Sequence, residues 1–279
     1  MALGLIEQLT RSTVRLESKL STGGTSTGSG FYMHLLASGN DAVPVIITNK
    51  HVIKNATTAK IHVTLRDKDG EPDPNQHMTY DIPNFEAQCI KHPDPDVDLA
   101  AFPIAPLITQ ATADGVNLFY MPLHTDIIPT QEEREDFSTM EDILMIGYPN
   151  GIWDAVHNMP VIRKGITATH PAIFCNGKPE FLTDIASFPG SSGSPVFLVN
   201  IGSYMDKAGN TYMGTSRVKL LGIHYAGFMH TAAGQIQIVP APTANVPMPI
   251  TQIPNNIGVA INSLKILELE AEIKRIVGL

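Results

Sequence analysis

The chain has 279 residues, 43% of them hydrophobic, enough to bury a core without disulfide staples. A formal charge of −8 with no basic run argues against a phosphate-binding face, so nucleic acid is not an expected partner. No stretch approaches the ~20 continuous apolar residues of a membrane helix, and the start Met1-Ala2-Leu3-Gly4-Leu5-Ile6 lacks a secretory pattern; no membrane partner and a cytoplasmic location are expected.

Residues 2–10 read as a short helix, and Thr13-Val-Arg-Leu-Glu17 alternates as a strand. A Gly/Ser/Thr stretch from Ser21 to Gly30 leads into a hairpin pattern, 31–36 and 43–48, around the turn Gly39-Asn40-Asp41. Further strands are expected at 59–66, 78–81, 86–91 and 99–104, each bounded by Asp, Gly, Asn or Pro clusters. From about 107 to 140 the pattern weakens, and Ile128 to Asp136 reads as a solvated connector with one helical turn opened by Thr130. A second strand series follows at 142–147, 161–169, 180–184, 195–200, 211–213, 217–225 and 257–261. The segment 240–254, with Pro240, Pro242, Pro247, Pro249 and Pro254, reads as an extended surface loop.

At the end, Asn262 or Ser263 can cap a helix whose Ile266, Leu269, Ile273 and Ile276 recur at helical spacing; packing on its own domain is the expected use. The division expected is 1–115 for an N-terminal barrel, 116–140 for the connector, 141–262 for a C-terminal barrel and 263–279 for the helix. Cys89 and Cys175 form no C-x-x-C pair and read as two reduced thiols, consistent with a reducing compartment.

The sharpest chemical signal is Phe188-Pro-Gly-Ser-Ser-Gly-Ser-Pro-Val196. Glycines there let backbone crowd a substrate where a Cβ would intrude. The elbow G-x-S-x-G is disfavoured because position 194 is serine. Upstream, Val45-Ile-Ile-Thr-Asn-Lys-His-Val-Ile53 puts a histidine just past a buried strand, and Asp96-Val-Asp-Leu-Ala-Ala-Phe102 supplies a carboxylate. Taken singly, His51 could end a strand, Asp98 could sit in a turn and Ser192 could be a turn hydroxyl; their order His, Asp, Ser is that of the two-barrel proteases. The ten histidines are scattered without H-E-x-x-H, and Gly23 to Gly30 lacks the Gly-Lys-Ser/Thr of a phosphate loop. No metal and no cofactor are expected.

These segments together resemble the bacterial trypsin-like serine proteases, and in particular the HtrA-like protease domain, over residues 12 to 265. Thr27-Gly-Ser-Gly-Phe31, Met145-Ile-Gly-Tyr-Pro-Asn-Gly151, Gly165-Ile-Thr-Ala168, Phe181-Leu-Thr-Asp-Ile-Ala186 and Gly258-Val-Ala-Ile261 extend the likeness, which stops short of any additional peptide-binding domain. The resemblance implies an all-β chymotrypsin-like fold of two six-stranded antiparallel barrels with a C-terminal helix. It implies His51, Asp98 and Ser192 as catalytic triad and the backbone N–H groups of Gly190 and Ser192 as oxyanion hole. The function implied is intracellular hydrolysis of protein or peptide substrates. A catalytically silent or partner-activated peptide binder is the alternative, and an esterase or acyltransferase a third.

Two departures from trypsin carry expectations. The acidic residue that pairs with a freshly cut N-terminus in zymogen relatives is here Ser191, so no N-terminal processing is expected. The aspartate that reads Arg or Lys is here Ala186, so cleavage after a basic residue is not expected. The strand Leu221-Gly-Ile-His-Tyr-Ala-Gly227 supplies the pocket's other wall, with Tyr225, Ala226 and Gly227 beside His224. His224 with Ser187 resembles the pair by which glutamyl endopeptidases and viral 3C-like proteases read P1 Glu or Gln; an interior histidine beside an apolar pocket is the other reading.

Overall fold

The structure is a computed structural model and describes residues 3–39, 41–233 and 250–278. Helix α1 (Leu5–Arg11) leads into β1 (Thr13–Leu20), β2 (Thr25–Ser38) and β3 (Asp41–Thr48), followed by the single helical turn α2 (Lys50–Ile53). Then come β4 (Ala56–Arg66), β5 (Pro72–Pro83), α3 (Phe85–Gln88), β6 (Ile90–Lys91), β7 (Ala100–Pro103), α4 (Ala105–Ala113), β8 (Leu118–Phe119) and α5 (Gln131–Glu135). The second half holds β9 (Asp142–Gly147), β10 (Val161–Thr167), β11 (Glu180–Asp184), β12 (Pro195–Asn200), β13 (Ser203–Met205), β14 (Thr211–Met213), β15 (Arg217–Ala233), β16 (Ile250–Asn262) and α6 (Leu264–Val277).

The two halves close differently. Strands β10-β11-β16-β15-β12-β9 form a closed six-stranded barrel, as expected. The first half does not: it is an eight-stranded sheet of order β5-β4-β1-β2-β3-β7-β6, with β8 pairing β4. Closure would need pairing length at the two edges, yet β6 offers only Ile90 and Lys91. Moreover, β8 takes up the end of β4 at Thr64 and Leu65.

Other expectations shift for local reasons. The strand expected at 86–91 is helix α3 followed by the two-residue β6, because Asn84 turns the chain with φ 52°. Residues 105–113, assigned to the N-terminal barrel with no element expected, form α4, with Pro106 in its first turn, where a missing N–H costs nothing, and Leu107 and Ala111 buried. Helix α5 opens as expected on Thr130, which accepts from Glu133 N–H while the Glu133 carboxylate accepts from Thr130 N–H. Of the proline-rich loop expected at 240–254, residues 250–254 belong to strand β16 and 240–249 lie outside the described residues.

Helix α6 ties the halves together. Its fully buried Ile266, Leu269 and Ile273 join Phe31, Met33 and Leu35 of the open sheet and Leu220, Ile223 and Ile261 of the barrel in one apolar cluster. Each side chain stabilises the junction by about 2 kcal/mol of burial. Ile276, expected on the same face, is 52% exposed. Asn262 Oδ1 accepts from Leu264 N–H at 3.1 Å, and the Glu270 carboxylate accepts from Leu36 N–H at 2.6 Å.

Candidate active site

His51 stands on the α2 turn immediately after buried β3. Val52 and Ile53 anchor that turn in the core and leave the imidazole side chain 45% exposed. Asp98 lies between buried Val97 and Leu99, so its own side chain turns out of the core. Asn49, fully buried, donates from Nδ2 to Asp98 O at 2.7 Å and joins the two segments.

Both carboxylate oxygens of Asp98 engage His51: Oδ2 lies 2.5 Å from Nδ1, and Oδ1 accepts from the His51 backbone N–H at 3.0 Å. An ionised carboxylate only accepts, so Nδ1 carries the ring proton and Nε2 is the free base.

Ser192 lies in the turn between β11 and β12. Here the open sheet presses directly on the barrel. Ser29 N–H donates to Ser192 O at 2.8 Å, and Thr48, three residues before His51, donates from Oγ1 to Ser29 O at 2.8 Å. A Cβ on Gly193 would lie 1.9 Å from Ser29 O and 2.7 Å from Thr48 Oγ1; with φ 86°, only glycine fits. The Ser29 hydroxyl, wholly buried, adds two further bonds: it donates to Gly190 O at 2.9 Å and accepts from Tyr148 N–H at 3.0 Å.

The Pro189–Gly190 peptide is fixed from behind. Asn150 N–H donates to Pro189 O at 2.5 Å, and Gly190, at φ 86°, rests against Tyr148 O. In a trans peptide the N–H points opposite to the C=O, so Gly190 N–H faces away from Asn150. Among the described residues neither Gly190 N–H nor Ser192 N–H finds an acceptor. The Ser192 hydroxyl donates to Tyr225 O at 3.3 Å, and among the described residues no hydrogen bond joins it to His51.

Beside Ser192 opens a cavity of about 140 Å³ lined by Ser187, His224, Tyr225, Ala226 and Gly227, all expected, together with Phe188, Pro189 and Phe228. Ala186, expected in the wall, does not line it; its carbonyl instead accepts from Arg163 Nη1 at 2.7 Å. Ser187 Oγ and His224 Nε2 are 2.7 Å apart, both residues buried. Burial, aided by the Arg163 charge and by His51, pushes the His224 pKa down to about 3, so this imidazole is neutral at pH 7.

Sequence reasoning missed Arg163. Strand periodicity places it on the face of Val161, Gly165 and Thr167, while Ile162 is 44% exposed beside exposed Lys164. This reverses the usual apolar-in order. The Arg163 Nη1 also donates to Ser191 Oγ at 2.9 Å, so the residue that takes the zymogen acid's place is held from within the fold. The signal was present as an arginine in an otherwise barrel-type strand, but nothing local says which face turns inward.

The open sheet, the closed barrel and a Ser-bearing turn flanked by a His–Asp pair define the class of chymotrypsin-like serine peptidase folds. The profile of the trypsin-like peptidase domain matches residues 28–202, and the chain belongs to that family. Among solved structures, the serine endoprotease from Yersinia pestis is similar at 17% identity and TM-score 0.50, covering 99% of this chain and 68% of that one. The HtrA-type protease AlgW with a decapeptide is similar at 16% identity and TM-score 0.50, covering 96% of this chain and 66% of that one. No curated protein sequence matched the chain. Among the described residues no helix is long and apolar enough to cross a membrane.

Proposed function

We propose that the chain is an intracellular serine endopeptidase that uses Ser192, His51 and Asp98 and prefers Glu or Gln at P1. The observation that carries the reading is the double engagement of His51 by Asp98, packed through Thr48 and Ser29 against a serine turn with two unengaged amides. In this reading Ser192 rotates from Tyr225 O to His51 Nε2, which takes its proton as Oγ attacks the scissile carbonyl. The oxyanion formed accepts from Gly190 N–H and Ser192 N–H. His51 then returns the proton to the leaving amine, and water hydrolyses the acyl-enzyme by the same route in reverse.

The pocket reading follows from its hydrogen-bond supply. Neutral His224 can donate from Nε2–H to Ser187 Oγ, which frees the Ser187 O–H for an oxygen of a P1 carboxylate or amide. An apolar P1 would bury that hydroxyl unmatched. Cys89 and Cys175, both free thiols, suit a reducing compartment.

A fluorophosphonate probe tests the nucleophile: labelling lost in Ser192→Ala supports it, and labelling elsewhere in the chain removes it. The present bond from Ser192 Oγ to Tyr225 O favours a second reading, activation by a bound partner or substrate that turns the hydroxyl to His51. In that case labelling accelerates on adding peptide, whereas the first reading expects full labelling of the isolated chain.

A further inference from the structure

We propose that Arg163 is a specificity-determining residue, whose charge sets the pocket beside Ser192 for P1 glutamate over glutamine. The inference rests on the reading of that pocket as a Glu/Gln site. Arg163 stands behind the wall: its Nη1 holds Ala186 O and Ser191 Oγ, the flanks of Ser187 and Ser192. Its Nε and Nη2 are buried and have no hydrogen-bond partner. Among the described residues it enters no ion pair, and residues 234–249, outside them, include no Asp or Glu. Of the carboxylates on the two neighbouring strands, Glu180 is taken by the Tyr225 hydroxyl at 2.7 Å, Asp142 pairs with Lys164 at 3.0 Å, and Asp184 is exposed.

A buried guanidinium without a counter-ion is costly, and bonds to one carbonyl and one hydroxyl do not require a charge. A fold that only needed those two bonds could use a neutral donor. Although burial lowers its pKa to about 10, Arg163 stays protonated at pH 7, and its field reaches His224. The Ser187 hydroxyl, the donor left to the pocket once neutral His224 donates to its oxygen, binds carboxylate and amide oxygens alike, so it cannot separate Glu from Gln. A nearby unneutralised cation can: Arg163 does not line the cavity, but across a low-dielectric wall its charge attracts a carboxylate and not a neutral amide.

The test is the ratio of kcat/KM for two peptides that differ only as Glu or Gln at P1, at pH 7, in wild type, Arg163→Met and Arg163→Lys. A ratio cancels any general loss from a disturbed Ser191 turn. The expected result is a wild-type preference for Glu that falls about tenfold in Arg163→Met and is largely kept in Arg163→Lys. If turnover is too slow to measure, the same ratio is read from binding of the two peptides to Ser192→Ala with and without Arg163→Met. An unchanged ratio in Arg163→Met, or a wild type that prefers Gln, overturns the role of Arg163 while leaving the pocket a Glu/Gln site. A wild type that takes only Leu, Val or Ala at P1 overturns the pocket reading itself.

Discussion

Each half of the molecule brings one histidine to the candidate site, and the two are housed in opposite ways. His51, on the open sheet, is 45% exposed at its side chain and has a carboxylate on Nδ1; His224, in the closed barrel, is 2% exposed and faces the Ser187 hydroxyl, within the field of Arg163. The first has a carboxylate on one ring nitrogen and is open to water. The second is held neutral, since burial and Arg163 both oppose protonation. One fold thus houses the same side chain beside a carboxylate and water in one half and in a dry, neutral setting in the other, and the difference lies wholly in what surrounds each ring.

The largest break in this comparison comes from removing His51, the proton acceptor of the proposed function. His51→Ala should lower kcat for any cleavable peptide by about 10³-fold or more, with the melting temperature little changed because the ring is half in solvent. Peptide turnover and a thermal melt on the same preparation check both halves of that statement. Replacing the other histidine should act on selection. His224→Ala should cut kcat/KM for Glu and Gln P1 peptides by about 10²-fold and leave peptides with a small apolar P1 much less affected, as read from a P1 library at pH 7.

Ser29→Ala sharpens the contrast between the sheets, since this hydroxyl is where the open sheet holds the turn of the barrel. It removes the bonds to Gly190 O and from Tyr148 N–H, which should cost about 1–3 kcal/mol of stability and lower kcat more than it raises KM. A denaturant titration paired with steady-state kinetics decides it; equal kcat in wild type and variant would show that the two bonds do not set the oxyanion amides.

The fourth effect is on pH-dependent stability and leaves the chemistry at pH 7 untouched. His224 falls from an ordinary value of 6.5 to about 3 on folding, and half-buried His62 to about 4, chiefly by burial. Between those values the unfolded chain binds protons that the folded chain refuses. The stability these groups contribute is therefore fully present above pH ~6.5 and is lost as pH falls toward 4, by roughly 1 kcal/mol per pH unit for each group. Melting temperatures from pH 7 to pH 4 should decline less steeply in His224→Gln than in wild type.

Much of this was legible before any fold was seen. The strands of the second half and the helix turn at Thr130 follow from short segments whose neighbours in sequence are their neighbours in space, whereas the pairing of His51 with Asp98 and of His224 with Ser187, 47 and 37 residues apart, was implied only by the family resemblance. Closure of the first half was not legible, because it depends on how much edge β6 and β8 leave for pairing, a sum over distant segments. Ser29 gave no local sign of its role either, since its partners Gly190 and Tyr148 lie more than a hundred residues away.

The sequence by itself determined an all-β chain with a serine turn, a histidine after a buried strand and an acid between buried neighbours, because turn chemistry, period-two burial and short-range hydrogen bonding are properties of a few adjacent residues. Only the tertiary structure decided that Arg163 turns inward while Ile162 turns out, and that Nε and Nη2 of that guanidinium meet no partner. The physical reason is that a strand's alternation fixes which residues share a face but not which face meets the core, and that choice is made by the strands packed on either side.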